Sequence, residues 1–159
     1  MCRRAAPVVI GYPRVNVVTV HSRCETSAGR DHARKSAINA PGAPEAIGPY
    51  SQGTTAGRLV FASGQLPIDK THPHHLVSGG IREQTKQVIH NCRVLLEATG
   101  CTLDDVAQTN VYLSDIALLP EVNEVYATYF TMPAPARTVV AVSGLPMGAL
   151  IEMDCVACR

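Results

Sequence analysis

The chain has no tryptophan, and its five tyrosines and two phenylalanines amount to only 4% aromatic residues. A hydrophobic core in this protein therefore has to be aliphatic. There is no excess of either charge: 14 lysines and arginines stand against 13 acidic residues, a net charge of +1. That balance gives no general attraction to nucleic acid or to an anionic membrane. No stretch approaches the roughly 18 consecutive apolar residues of a membrane helix. No phosphate-loop pattern surrounds Gly79 and Gly80. The six cysteines, Cys2, Cys24, Cys92, Cys101, Cys155 and Cys158, are scattered, and several fall in apolar patterns. They read as reduced thiols rather than a disulfide framework. Cys155 and Cys158 lack a second ligand pair, and residues three apart on a strand face opposite ways, so no metal is expected there. His72, His74 and His75 share a proline-containing loop and read as solvated.

What is present fits one ordinary domain: 159 residues, 46% hydrophobic and 17% charged. Residues 1–37 differ from the rest. Arg3, Arg4, Arg14 and Arg23 all precede the first acidic residue, Glu25. No apolar segment with a small-residue cleavage site follows, so a secretory signal is not expected. Two readings stand: a disordered extension, or a mitochondrial transit peptide, for which an arginine-rich, acid-poor start is suited. The expected location is accordingly cytoplasm or mitochondrion, with the globular domain spanning 38–159.

Within that domain, Gly57–Pro67 reads as a strand ending at a Ser-Gly turn, and the short "LVSGG" returns to extended chain. From Ile81 to Thr99 the spacing predicts a helix, with Ile81, Val88, Cys92, Leu95, Leu96 and Thr99 on one stripe. Gly100 stands where a left-handed cap belongs. Val106–Leu113 alternates as a strand, with Ala107, Thr109, Val111 and Leu113 on one face. A second helix is predicted over Leu118–Phe130, with Pro120 in its first turn and Val122, Val125, Tyr126 and Tyr129 inward. Two strands follow, at about 136–143 and 149–157, joined by the "GLPMG" turn as a hairpin. The order implies an α+β domain, one sheet with two helices on one face.

The last two strands pose a problem. Charges inside a sheet are costly unless paired or solvated, yet Arg137 opens one strand and Glu152 lies within the other. Alternation groups Arg137 with Val139, Ala141 and Ser143, leaving Thr138, Val140 and Val142 to pack beneath the helices. In the last strand Ile151, Met153, Cys155 and Ala157 form an apolar side. Arg137 and Glu152 are thus both expected on the face away from the helices. Val139, Leu150 and Val156 make that face too apolar for open solvent, so a homo-oligomer is expected to cover it. An arginine in such a cleft offers a planar fork for a carboxylate. A glutamate offers an acid, a base or a hold on water. An Arg–Glu interface salt bridge without a ligand is the simpler alternative.

Four blocks carry a resemblance: "APGAPEAIGPYSQG" (Ala40–Gly53), "FASGQLP" (Phe61–Pro67), "VNEVYATYF" (Val122–Phe130) and "PARTVVAVSGLPMGALIEMDCVA" (Pro135–Ala157). In order and in register, they resemble the RidA family, also called YjgF-type or L-PSP proteins. The resemblance implies a chorismate-mutase-like fold and a homotrimer whose sheets form a central barrel, with ligand clefts between subunits. It implies hydrolysis of 2-imino acids (2-aminoacrylate, 2-iminobutanoate) to 2-keto acids and ammonia, without cofactor or metal. Arg137 would grip the substrate carboxylate, Glu152 would position water and shuttle protons, and Tyr50 would line the cleft. Ser63 and Gly64 would hold the imine end, and Asn123 would border the cleft. Two positions depart from the family's pattern. Val139 replaces a frequent cysteine, and Ala134 replaces a common aromatic residue, which would widen the cleft. Two alternatives stand beside it: an endoribonuclease or translation inhibitor, and a chaperone-like binding protein. The globular part offers RNA neither a basic stripe nor many aromatics for stacking, so the RNA reading is the less favoured.

Overall fold

The structure, a computed structural model, describes residues 35–73 and 75–159. The reading of residues 1–37 as an extension or transit peptide therefore falls almost wholly outside the described residues. Its last three do not: of these, Ser36–Ala37 form the first strand, β1, so the sheet starts two residues before the expected boundary.

Among the described residues six strands make one sheet: β1, β2 (Gly53–Ala56), β3 (Leu59–Gln65), β4 (Val106–Leu113), β5 (Ala136–Ala141) and β6 (Ile151–Cys158). Their spatial order is β1-β2-β3-β6-β4-β5. Only β4 and β5 run parallel; the other neighbours are antiparallel. Two helices, α1 (Ile81–Glu97) and α2 (Leu119–Tyr126), complete the predicted α+β architecture. α1 packs on β3 and β6, and α2 lies against α1.

The helix signals hold for plain reasons, although α2 stops at Tyr126, four residues short of the expected Phe130, and Tyr129 falls in the turn that follows. The buried stripe of α1 includes Ile81, Val88, Ile89, Cys92, Leu95 and Leu96, the 3.6-residue period expected of a half-buried helix. Gly100 has φ +80, the left-handed geometry a side chain resists. In α2, Pro120 sits in the first turn, where its missing N–H is not needed, and Val122, Val125 and Tyr126 are buried. Under the helices, Ile151, Met153, Cys155 and Ala157 of β6 are all buried, as alternation predicted. The large side chains among them, Ile151 and Met153, each contribute about 1.5–3 kcal/mol.

Three expectations need correction. First, the hairpin is β2–β3, closed by Gly57 and Arg58, with Gly57 at φ +60 as the first residue of a tight turn. The "LVSGG" segment contributes only an isolated bridge from Leu76 to Ile68. Second, β5 and β6 are not a hairpin. β4 lies between them, and β5 is an edge strand reached from β4 through α2, the crossover that parallel neighbours require. Third, a bulge between Val106 and Gln108 shifts the start of β4. Val106 is therefore buried and Ala107 exposed, while Thr109, Val111 and Leu113 face the helices as expected.

Candidate functional site: two half-sites on opposite faces

The register of β4 fixes which side each functional residue takes. Thr109 pairs with Cys155 of β6 and with Arg137 of β5. Thr109 and Cys155 are buried beneath the helices, so Arg137 belongs to the helix face. Tyr112 pairs with Glu152 and with Val140, and these occupy the open face. The expectation that Arg137 and Glu152 share a face is wrong for one chain. Both sides of 136–143 carry valine, so alternation was read with its two faces exchanged. Val140 is 42% exposed, whereas Val139 packs partly against the core.

The Glu152 half-site begins with an irregularity. β3 places two residues, Ser63 and Gly64, opposite Asp154 alone, between the pairs Ala62–Cys155 and Gln65–Met153. Such a bulge re-aims the backbone. It sets Gly64 directly against Glu152: a Cβ on Gly64 would collide with Oε1 of that carboxylate. The glycine leaves this carboxylate its place by close approach, not by backbone angle; a side chain here would make Glu152 shift. Tyr50, Ser63, Gly64 and Glu152 line one open cleft of about 520 Å³ together with Ile47 and Asp154. Four of the six predicted site residues thus converge. The Ser63 hydroxyl donates to the carbonyl of Ser51 at 2.7 Å and the Ser63 amide to the carbonyl of Gln52 at 3.0 Å. Ser63 therefore ties the bulge to the Tyr50 loop. The Tyr50 hydroxyl accepts from the amide of Ile47 at 3.3 Å.

Burial, and secondarily the charge of Asp154, push the Glu152 carboxyl above its ordinary range. Asp154 is itself fixed by two donors, Asn110 Nδ2 at 2.8 Å and the Tyr112 hydroxyl at 3.1 Å. Burial first and Asp154 next raise the Tyr112 phenol.

Polar residues inside the helix layer hold the surrounding chain. Gln84 of α1 accepts from the amide of Leu150 at 2.8 Å, fixing the entry to β6 two residues before Glu152. Asn91 donates to the carbonyls of Leu66 and Ile68, each at 3.0 Å, and so pins the exit of β3. Gln52 donates to the carbonyl of Pro44 at 2.8 Å and accepts from the amide of Ala40 at 2.9 Å, clipping the 40–44 loop to the sheet. Sequence reasoning missed these three. The signal for Gln84 and Asn91 was a polar residue within a buried helical stripe.

The Arg137 half-site is built on α2. The Arg137 guanidinium lies 4.6 Å from the centre of the Tyr126 ring, and its Nη2 donates to Asn123 Oδ1 at 2.8 Å. Tyr126 stacks on Phe130 with 4.3 Å between centroids, and its hydroxyl shares a 2.9 Å hydrogen bond with buried Thr109. Burial raises the Tyr126 phenol; the Thr109 hydrogen bond and the Arg137 charge oppose this. Asn123 and Arg137 line a second open cavity of about 740 Å³ with Phe130, Met132 and Ala134. Read from the sequence as an inward core residue, Tyr126 also forms the platform for the arginine.

Among the described residues no group of three or more histidine, cysteine, aspartate or glutamate side chains gathers to hold a metal. Among the same residues, no helix is long and apolar enough to cross a membrane. Cys92, Cys101, Cys155 and Cys158 are free thiols, and a hydrogen bond with the neighbouring Cys155, followed by burial, raises the Cys92 thiol well above its ordinary value.

Comparison with known proteins identifies the family. The sequence profile of the family described as Endoribonuclease L-PSP matches residues 40–159. The human 2-iminobutanoate/2-iminopropanoate deaminase is 42% identical over 120 residues, covering 76% of this chain and 87% of the human protein. Arabidopsis thaliana Reactive Intermediate Deaminase A, chloroplastic, is 39% identical over 131 residues, covering 82% of this chain and 70% of that protein. The crystal structure of the YjgF gene product of E. coli superposes with a TM-score of 0.73 at 34% identity, covering 78% of this chain and 98% of that one. By profile, by identity and by fold, this chain belongs to the RidA/YjgF/L-PSP family.

Proposed function

We propose that the protein hydrolyses small 2-imino acids, such as 2-aminoacrylate in its imine form and 2-iminobutanoate, to 2-keto acids and ammonia. The observation that carries this reading is the pair of complementary half-sites. One presents a propped guanidinium at an open cavity. The other presents a half-buried carboxylate with a raised proton affinity. A 2-imino acid needs one of each. The human and Arabidopsis relatives support the assignment by their names.

The two half-sites face opposite ways, so a working site takes Arg137 from one copy and Glu152 from another. The assembly we propose is the homotrimer with a chorismate-mutase-like subunit and a central barrel. Its barrel would cover the open sheet face, where Phe61 and Val140 are exposed at 38% and 42%. In that cleft Arg137, steadied by Asn123 and Tyr126, pairs with the substrate carboxylate. Glu152 takes one proton from a water whose oxygen bonds to the carbon of the protonated imine. The C=N π pair moves to nitrogen, giving a carbinolamine. Glu152 returns that proton to nitrogen, the C–N bond breaks as ammonia leaves with the bonding pair, and the hydroxyl proton passes to the Glu152 carboxylate, leaving a carbonyl. Tyr50 and the Ser63–Gly64 bulge wall the cleft, and Ala134 leaves room beside Arg137. The roles are played without cofactor or metal, in the cytoplasm or the mitochondrion.

The test generates the imine with a serine/threonine dehydratase and traps it with semicarbazide. Wild type suppresses trapping and Arg137→Ala does not. No suppression by either protein would overturn the reading. The family's endoribonuclease description makes RNA the next ligand to try, with a salt-dependent affinity as its signature.

A further inference from the structure

We infer that Asp154 is a positioning residue for Glu152: its charge, fixed beside that carboxylate by Asn110 and Tyr112, adds to burial in setting the pH range over which Glu152 accepts a proton. This rests on the proposed role of Glu152 in imine hydrolysis. The geometry supplies the argument. Asp154 and Glu152 are two residues apart on β6 and share the open face. Both line the same cleft. The Asn110 amide and the Tyr112 hydroxyl each donate to a different oxygen of Asp154. Those contacts hold its carboxylate in place on the sheet, so the repulsion on Glu152 is built in. Asp154 does not reach the reacting atoms in this scheme.

The other groups facing Glu152 can be named. Tyr112 faces it from β4 and Tyr50 from the 47–52 loop. Ser63 and Gly64 are its neighbours from β3. In the proposed assembly Arg137 of a second copy enters the cleft and pulls the opposite way, favouring the anion. Asp154 offsets that pull. Glu152 has to gain a proton from water and give it to the leaving nitrogen, which requires a proton affinity near the working pH. Two neighbouring carboxylates with distinct roles are one way to obtain it.

The experiment compares Asp154→Asn, Asp154→Ser and Asp154→Glu with wild type. The acidic limb of kcat/KM for imine hydrolysis is followed, and the Glu152 side-chain carboxyl is titrated by carbon NMR. Loss of the negative neighbour favours the Glu152 anion, so both neutral variants shift the NMR midpoint and the acidic limb to lower pH. Asp154→Glu returns them towards wild type. A structural role would lower activity without moving the midpoint. An unmoved or raised midpoint in a folded neutral variant overturns the assignment. So does failure of both neutral variants to fold while Asp154→Glu folds. If wild type shows no imine hydrolysis, the proposed reaction fails separately, and the NMR midpoints still decide whether Asp154 tunes Glu152.

Discussion

Glu152 and Arg137 are positioned by different means. Glu152 is placed by backbone: a bulge in β3 brings a side-chain-free residue beneath it, and strand pairing fixes the rest. Arg137 is placed by side chains: a tyrosine face, an asparagine oxygen and the phenylalanine stacked behind them, all from α2 and the turn after it. A Cβ on Gly64 would meet only the end of the Glu152 side chain, so a substitution there is relieved by moving the reacting carboxylate itself. A side-chain device distributes its hold among several contacts and weakens by degrees. The comparison teaches that the carboxylate end of the proposed site is brittle, while the guanidinium end is adjustable.

The largest expected effect tests whether the two half-sites meet across copies. Arg137→Ala and Glu152→Gln are each expected to abolish suppression of imine trapping. Removing one partner of a charge-assisted pair costs about 2–5 kcal/mol, or roughly 30- to 4000-fold. Unfolding and refolding the two inactive proteins together yields mixed trimers. In each mixed trimer one interface has an intact Arg137 opposite an intact Glu152, so about a quarter of wild-type activity returns in a closed ring of three. Activity that stays at background after mixing, with mixed trimers demonstrated, would break the comparison by placing both residues in one subunit's site.

Next in size is the brittle end. Gly64→Ala pushes Glu152 aside, and a displacement of about 1 Å at a reacting group costs roughly 10²-fold in rate. Gly64 is exposed, and its φ is not in the left-handed range. The melting temperature is therefore expected to move little while kcat falls. A Gly64→Ala protein with wild-type kcat would show that the Glu152 carboxylate has another place to stand.

Much of this layout was legible in the sequence, and the exceptions have physical causes. The stripe of α1, the Gly100 cap and the apolar side of β6 follow from period and from backbone angle, which are local properties. The convergence of Tyr50, Ser63, Gly64 and Glu152 was reached only through family resemblance. Nothing in their spacing announces a bulge at Ser63–Gly64. The face of Arg137 was misread because Val139 and Val140 are equally apolar and β5 is an edge strand, where neither side is fully covered. A stronger signal was available. A strand, a helix and a strand in succession favour a parallel pair over a hairpin to the following strand, and that pairing sets Arg137 beside Thr109 on the helix face. Asp154 was overlooked because an acidic residue on a half-exposed strand looks like ordinary solvation until its two donors are seen.

The smallest effects separate two contacts at the adjustable end. Asn123→Ala removes the oxygen that accepts from Arg137, a hydrogen bond worth about 1 kcal/mol net. The guanidinium still carries its charge and still lies on Tyr126. Binding of the substrate carboxylate weakens equally in ground and transition states, so KM rises about fivefold with kcat unchanged. Tyr126→Phe does the reverse. The ring face under Arg137 is kept, so KM stays near wild type. The buried Thr109 hydroxyl loses its partner, at a cost of about 1–3 kcal/mol of stability, read as a lower denaturation midpoint. If Tyr126→Phe raised KM instead, the tyrosine hydroxyl would be part of the arginine's support rather than an anchor into the core. If Asn123→Ala lowered kcat as well as raising KM, Asn123 would act at the reacting atoms and not only through Arg137.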